Sequence, residues 1–387
     1  MNTTADKNQF KKAITWLTKV LKGHKYPYTA VQMYFAGKEV AITAVTRSGM
    51  RARVALPLNS TVDSGDEVTA VVDLKQLGGA VRGTVSTKET RLATPRAGSE
   101  SIIVGHVHLP RILDQRAAAA WIFQHRSYRR REGAFVDMRL LLERVHPFIS
   151  TEEGYEARHG AFVDHEYVYA TDGRTLIRGL CPGASDRLGR GVLSEEFVRS
   201  AMLCPVPLDI NMTSVNARER RRVASNAWSE GKEGYTLQAP VNPDDVVWDF
   251  PDCAPIIPQE REASFGFDPA HLKWVKDHSK PLTRPAVRFS FDPHAPLETA
   301  LTLALFDMSS GKKAYEESLP LEWKYFADRW EENVSVAVPL LLKCTAGLDA
   351  AYFRFNSSHG PVVITDDKGL NYDELRIVMP VRADFTG

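Results

Sequence analysis

Asn8 to Lys22 carries the clearest periodicity in the chain. At about 100° per residue, Phe10, Ala13, Ile14, Trp16, Leu17, Val20 and Leu21 fall on one half of a helical wheel. Lys11, Lys12, Lys19 and Lys22 fall on the other half, and Gly23 supplies a stop. The pattern predicts an amphipathic helix with a buried apolar face, and a lysine face that is, taken alone, a solvated surface. A shorter helix is predicted from an Asp73 N-cap through Leu74, Leu77 and Val81, weakened by Gly78-Gly79. Between the two, Ala30–Phe35 and Val40–Val45 alternate like strands, separated by a turn signal at Gly37-Lys38.

The same order returns twice. A helix over Asp137–Val145 precedes strands around Ala161–Val163 and Tyr167–Tyr169, and a second helix is predicted from Ser194, with Glu195 and Glu196 where the helix dipole favours acids. Near Asp268 the order begins again, with Asp268 as cap, Pro269 in the first turn, and Leu272, Trp274 and Val275 as apolar contacts. Strands follow at Ala286–Phe291 and Ala300–Phe306, then a helix from Pro339 to about Ala346. First helices near 8, 137 and 269 and second helices near 73, 194 and 339 repeat with a period of about 130 residues, the size of a small domain rather than of a solenoid unit. The expected fold is α+β, in three domains at 1–125, 134–258 and 263–387. Boundaries fall within Pro110–Gly133 and Pro258–Ser264, and the first linker contains a possible extra helix, Ala117–Gln124.

Composition adds bounds. A chain of 387 residues exceeds one ordinary core, and 43% apolar and 25% charged residues are usual for folded domains. The N-terminus has no apolar leader and no window reaches the roughly 18 apolar residues of a membrane span, so a cytoplasmic protein is expected. Cys181, Cys204, Cys253 and Cys344 form no C-x-x-C pair and read as reduced structural thiols. The net charge of +1 conceals clusters: lysines on the first helix, arginines in the runs Arg126–Arg131 and Arg218–Arg222.

Three short segments carry the candidate chemistry. Ala170-Thr171-Asp172-Gly173-Arg174-Thr175-Leu176 is by itself a strand and an Asp-Gly turn. Together and in order with Phe250-Pro251-Asp252-Cys253-Ala254-Pro255-Ile256-Ile257-Pro258 and Ile377-Val378-Met379-Pro380-Val381-Arg382, it resembles the bacterial DNA polymerase III β subunit family, the DNA sliding clamps. The resemblance covers essentially the whole chain and is strongest after residue 134.

It implies three α+β repeats, each with two helices on antiparallel sheet, and two subunits joined head to tail in a closed ring with helices inside. Duplex DNA would pass through without sequence preference, held by Lys11, Lys12, Lys19 and Lys22, with Arg139 and Lys273 on the equivalent helices. Mobile lysines suit that task, because they meet phosphates and read no base edges. DNA polymerase and the clamp loader would insert a short peptide with apolar anchors into a groove formed by Thr171, Gly173, Arg174, Leu176, Pro251, Ile256, Val378, Met379, Pro380, Val381 and Arg382.

The chain departs from the family pattern. Arg174-Thr175 stands where the family has His-Arg, Ala254-Pro255 replaces a basic position, Ala383–Gly387 extends beyond the usual end, and Thr43–Arg47 replaces the first domain's usual segment. These differences suit a divergent chromosomal, plasmid or phage-borne member. They also motivate the alternative of a clamp-fold regulator, decoy or repair scaffold that serves no replicative polymerase. Gly311-Lys312 lacks the upstream glycine of a phosphate loop, and H-E-x-x-H and G-x-S-x-G are missing. His106 and His108 are expected to share one face of a strand, as satisfied strand histidines rather than a metal site. No catalytic residue and no cofactor are assigned.

Overall fold

Helix α1, Lys7–Val20, forms where the apolar stripe places it, and its start is set by Asp6, whose carboxylate accepts the Gln9 N–H at 2.8 Å. Phe10, Ala13, Ile14, Trp16, Leu17 and Val20 are buried, each large side chain stabilising the fold by about 1.5–3 kcal/mol of transfer free energy. Gly23, at φ 90°, turns the chain away. The computed structural model describes residues 2–24, 28–62, 68–85, 88–93, 100–112, 138–152, 159–164, 166–181, 191–206, 209–215, 224–230, 234–238, 253–258, 263–326, 333–357, 359–366 and 373–381. The expected helix 117–124 and both arginine runs lie outside these residues.

Packing divides the chain into two units, the first comprising Met1–Glu143, Val163–Glu166 and Pro182–Trp248 and the second Arg144–Phe162, Tyr167–Cys181 and Asp249–Gly387. In the first, β1 (Asn2–Asp6), β2 (Ala30–Val45), β3 (Arg51–Val62), β4 (Val68–Asp73), β5 (Glu89–Ala93), β6 (Ser101–Val104) and β7 (Val107–Pro110) surround α1 and α2 (Leu74–Gly83). Asp73 caps α2 as expected, accepting the Gln76 N–H at 2.9 Å. Strand β2 corrects the expected turn at Gly37-Lys38: it is one 16-residue strand whose first part pairs with β4 and whose second part pairs with β3. Gly37, at φ 54°, sits at a shift of register within the β2–β3 ladder. A left-handed glycine serves a bulge as well as a turn, and the two flanking partners decide which forms. His106 is likewise not in a strand but in the turn between β6 and β7, beside Gly105.

The second expected repeat is shared between the units. Its β11 (Gly191–Ser194), α4 (Glu195–Met202), β12 (Asp209–Val215), β13 (Ala224–Glu230) and β14 (Tyr235–Gln238) belong to the first unit. There the sheet runs β12-β13-β14-β3-β1-β5-β6-β7, with Tyr235 opposite Val54. At this junction a Cβ on Gly234 would stand 2.4 Å from the Ala55 carbonyl oxygen, so only glycine admits the approach. The Trp16 indole N–H donates to the Ser200 carbonyl at 3.0 Å, and its ring meets Tyr235 edge-on at 5.3 Å, fastening α1 to α4 and β14.

The second unit holds β9 (Tyr167–Thr171), β10 (Thr175–Leu180), β15 (Ala263–Phe267), β16 (Pro285–Phe291), β17 (Leu301–Asp307), β18 (Lys312–Leu319), β19 (Trp323–Phe326), β20 (Val334–Ala337), β21 (Ala351–Phe355), β22 (Val362–Thr365) and β23 (Glu374–Val378). Strand β8 covers Gly160–Asp164 and α3 covers Arg139–Val145. One sheet runs β9-β10-β23-β22-β21-β15-β19 and the other β18-β17-β16-β20. Phe265 stacks on Phe353 at 5.3 Å and touches Phe289 at 6.1 Å, forming an aromatic centre. The expected helix at Asp268 begins as a 3₁₀ turn, Pro269–Leu272, before α5 (Lys273–Ser279), and α6 spans Val338–Thr345. All four cysteines are free and buried, and burial pushes the Cys181 thiol up to about 11 and that of Cys344 to about 12. Among the described residues, no helix is long and apolar enough to cross a membrane, and no group of three His, Cys, Asp or Glu could hold a metal ion.

Candidate functional site

The T-D-G segment closes the hairpin between β9 and β10, with Leu176 opposite Thr171. Gly173, at φ 87°, supplies the left-handed position. Asp172 Oδ1 accepts the N–H groups of Arg174 at 2.9 Å and Thr175 at 2.7 Å. The buried Thr171 hydroxyl donates to the Thr175 carbonyl at 2.7 Å and accepts the Gly173 N–H at 3.0 Å. Thr171 therefore shapes the turn from within, while Gly173 and the Arg174 side chain are exposed.

Strand β23 lies beside β10, with Thr175 opposite Val378 and Leu176 opposite Ile377. The Met379 N–H donates to the Arg174 carbonyl at 2.9 Å, so the first and third motif segments touch through their backbones. Beyond it, the Val381 N–H donates to the Ser335 carbonyl at 2.8 Å. The middle segment joins from below: Cys253 is buried in one cluster with Leu176, Val363, Leu375 and Ile377, on which half-buried Tyr169 and Ile257 pack. Two large apolar side chains of this assembly face solvent, Ile256 at 38% and Met379 at 37% exposure. Leu176 at 3% belongs to its floor, not its rim; Val378, at 0%, is opposite Thr175 and so is buried on the other face of the sheet, and Pro380 and Val381 are half-buried. Pro251 and Arg382 lie outside the described residues.

Three segments spread over more than 200 positions of sequence thus meet on one sheet, with a flexible thioether, an isoleucine and a guanidinium at the surface. This is a floor and rim suited to apolar side chains of a peptide. A cationic residue outside the three segments reaches the turn: Lys343 Nζ on α6 lies 2.6 Å from Asp172 Oδ2. Partial burial works against ionisation of Asp172, but the Lys343 hydrogen bond and the two backbone N–H groups outweigh it and hold the carboxyl below its usual range. Buried Arg376 on β23 donates to Glu374 at 2.7 Å and to the Cys344 and Ala346 carbonyls, and Arg144 takes the other Glu374 oxygen at 2.7 Å.

The cationic helix positions fall in two groups. Lys11, Lys12, Lys19 and Lys22 are exposed on the face of α1 and its following turn, as the wheel predicts. Lys7 is buried instead and donates to the Thr84 carbonyl at 2.6 Å, at the end of α2. Arg139 is engaged, with Glu143 at 3.1 Å and the Cys204 carbonyl at 3.3 Å. Lys273 is exposed and, with Lys276 one turn later, borders a groove of about 310 Å³ floored by Leu272, Leu342 and Ala346. Lys276 escaped the sequence reading, although its spacing of three from Lys273 puts both on one face.

No family model and no curated protein matches the sequence. Solved structures do match over the full length. The DNA polymerase sliding clamp from Bacillus subtilis superposes with a TM-score of 0.77 at 14% identity, covering 99% of this chain and 100% of that one. The pol III β of Caulobacter crescentus gives 0.74 at 18% identity, and the DNA polymerase III subunit β of Pseudomonas aeruginosa 0.72 at 13%, each again covering 99% of this chain and 100% of the other. Identity this low with full mutual coverage is a likeness of architecture: the chain has the α+β fold of the bacterial DNA polymerase III β subunits, the sliding clamps.

Proposed function

We propose that this protein is a DNA sliding clamp, a non-catalytic processivity factor that encircles duplex DNA and tethers the replicative polymerase and other clients. The observation that carries the reading is likeness over the whole chain to proteins described as DNA polymerase sliding clamps. Two features of this chain support it. The exposed Lys11, Lys12, Lys19 and Lys22 form a sequence-blind phosphate-facing surface, to which Lys273 adds in the third of three proposed domains. Met379 and Ile256, over a floor of Leu176 and Ile377, form a groove for the apolar anchors of polymerase and clamp-loader peptides, with Arg174 at its edge.

A second copy of the chain completes the ring. Its joint includes β18, an edge strand whose residues Lys312–Glu316 are all exposed and which pairs only with β17 among the described residues. The ring needs no cofactor and works in the cytoplasm, where it holds DNA topologically.

The test is primer extension on circular single-stranded DNA with a matched clamp loader and polymerase. A clamp lengthens the products. Products of unchanged length would favour a clamp-fold regulator, decoy or repair scaffold.

A further inference from the structure

We propose that Lys343, on a helix that carries none of the three motif segments, is the positioning residue of the client groove, holding its T-D-G wall through Asp172. The inference rests on reading this groove as the client site.

Both Asp172 oxygens are committed: Oδ1 to the Arg174 and Thr175 N–H groups, Oδ2 to the Lys343 ammonium at 2.6 Å. The two side chains are only 20% and 22% exposed, so water compensates incompletely when one partner is removed. The ammonium also lies 4.8 Å over the Phe148 ring, which fixes the lysine from its other side.

Helix α6 is anchored to the neighbouring strand β23 as well. Arg376 Nη1 donates to the Cys344 carbonyl at 3.1 Å and the Ala346 carbonyl at 2.6 Å, and Arg376 stands three residues before Met379. The Cys344 thiol reaches the Ile377 carbonyl at 3.7 Å. One helix therefore braces the turn that presents Gly173 and Arg174 and the strand that presents Met379. A peptide that lies across the turn and the end of β23 meets a surface whose two parts are positioned in advance, and the ordering cost of binding falls.

Charged and titratable groups facing Asp172 are the Lys343 ammonium and the Cys344 thiol from α6. With Lys343 in place, Asp172 stays ionised to a pH below the ordinary carboxylate range. Above that range the brace is complete, and it is lost as pH falls through the lowered Asp172 value.

The experiment is fluorescence anisotropy of a fluorescein-labelled peptide with leucine and phenylalanine anchors, titrated with the full chain. Lys343→Met is expected to weaken binding about tenfold, as loss of a charge-assisted hydrogen bond in a partly buried site would. Lys343→Arg keeps the charge and restores binding to within about twofold. The acid limb of the affinity profile moves to higher pH in Lys343→Met, a shift that simple loosening of the fold does not produce. If Lys343→Met does not fold, Asp172→Asn removes the same ion pair and carries the same expected loss. Wild-type affinity in either folded variant, or an unmoved acid limb, overturns the role of Lys343. Wild-type protein that fails to bind the peptide sinks the client-groove reading and this inference with it. Binding lost in Met379→Ala but intact in Lys343→Met sinks only the inference.

Discussion

Met379 and Leu176 belong to the same proposed groove and differ in what their removal does. Met379 exposes 37% of its surface and makes its fixed contact through the backbone, whereas Leu176, at 3%, is part of a packed cluster. Met379→Ala is therefore expected to weaken peptide binding at least about tenfold, as at an interface anchor, with an unchanged denaturation midpoint. Leu176→Ala is expected to cost about 2–5 kcal/mol of stability in chemical denaturation, because it leaves a cavity. Comparable stability losses in both would place Met379 in the core. The thiols offer a second check at this scale. With the Cys344 thiol pushed up to about 12 by burial, almost none of it is thiolate at pH 8, so iodoacetamide should spare it in the native chain and label it in guanidinium. Rapid native labelling, read by mass spectrometry, would contradict that burial. The roles of Leu176 and Lys343 were not legible in the sequence, since a leucine after a turn serves as rim or floor equally well. Lys343 and Asp172 are 171 residues apart, and no local pattern pairs them.

Elements with local causes were legible. Helix α1 follows from its stripe and from Asp6, α2 from Asp73, and α4 from Ser194, whose hydroxyl accepts the Phe197 N–H at 3.2 Å. The strand β2 was not, because whether Gly37 turns or bulges depends on β3 and β4 rather than on Gly37-Lys38. The cationic face of α1 is the element to which the proposed DNA contact is assigned. Charge reversal at Lys19 and Lys22 leaves the buried stripe intact, so helicity by circular dichroism should hold while retention on DNA weakens. The slope of log affinity against log salt should fall by about one for each phosphate-facing lysine lost. Unchanged retention would remove these lysines from the DNA surface. Arg139, given the same role by its position in the repeat, is partnered by Glu143 and the Cys204 carbonyl, and repeat position alone could not show that.

At the scale of the molecule, the repeat and the packing divide the chain differently. The period of about 130 residues marks three helix-and-strand sets, yet the middle set sends β12–β14 to one unit and β9–β10 to the other. Sheet edges explain this: β14 has a free side that β3 fills, and β10 has one that β23 fills, so hydrogen bonding continues across the repeat. Where the chain presents β18 with Tyr315 at 38% exposure, the same logic calls for a second copy. Sedimentation velocity should give a dimer at micromolar concentration, and Tyr315→Glu should shift it toward monomer. A wild-type monomer would count against the ring, and an unaffected dimer would move the joint away from β18.

By itself the sequence determined where α1, α2 and α4 begin, because apolar stripes and capping residues act over a few positions along the chain. Only the tertiary structure decided that the T-D-G segment and the C-terminal segment share one sheet on which Cys253 packs, that Leu176 is buried and Met379 exposed, that Arg139 is partnered, and that Lys343 on α6 reaches the turn. Those facts depend on strand register and on contacts between residues far apart in sequence, where the energy lies in pairing and burial rather than in any local preference.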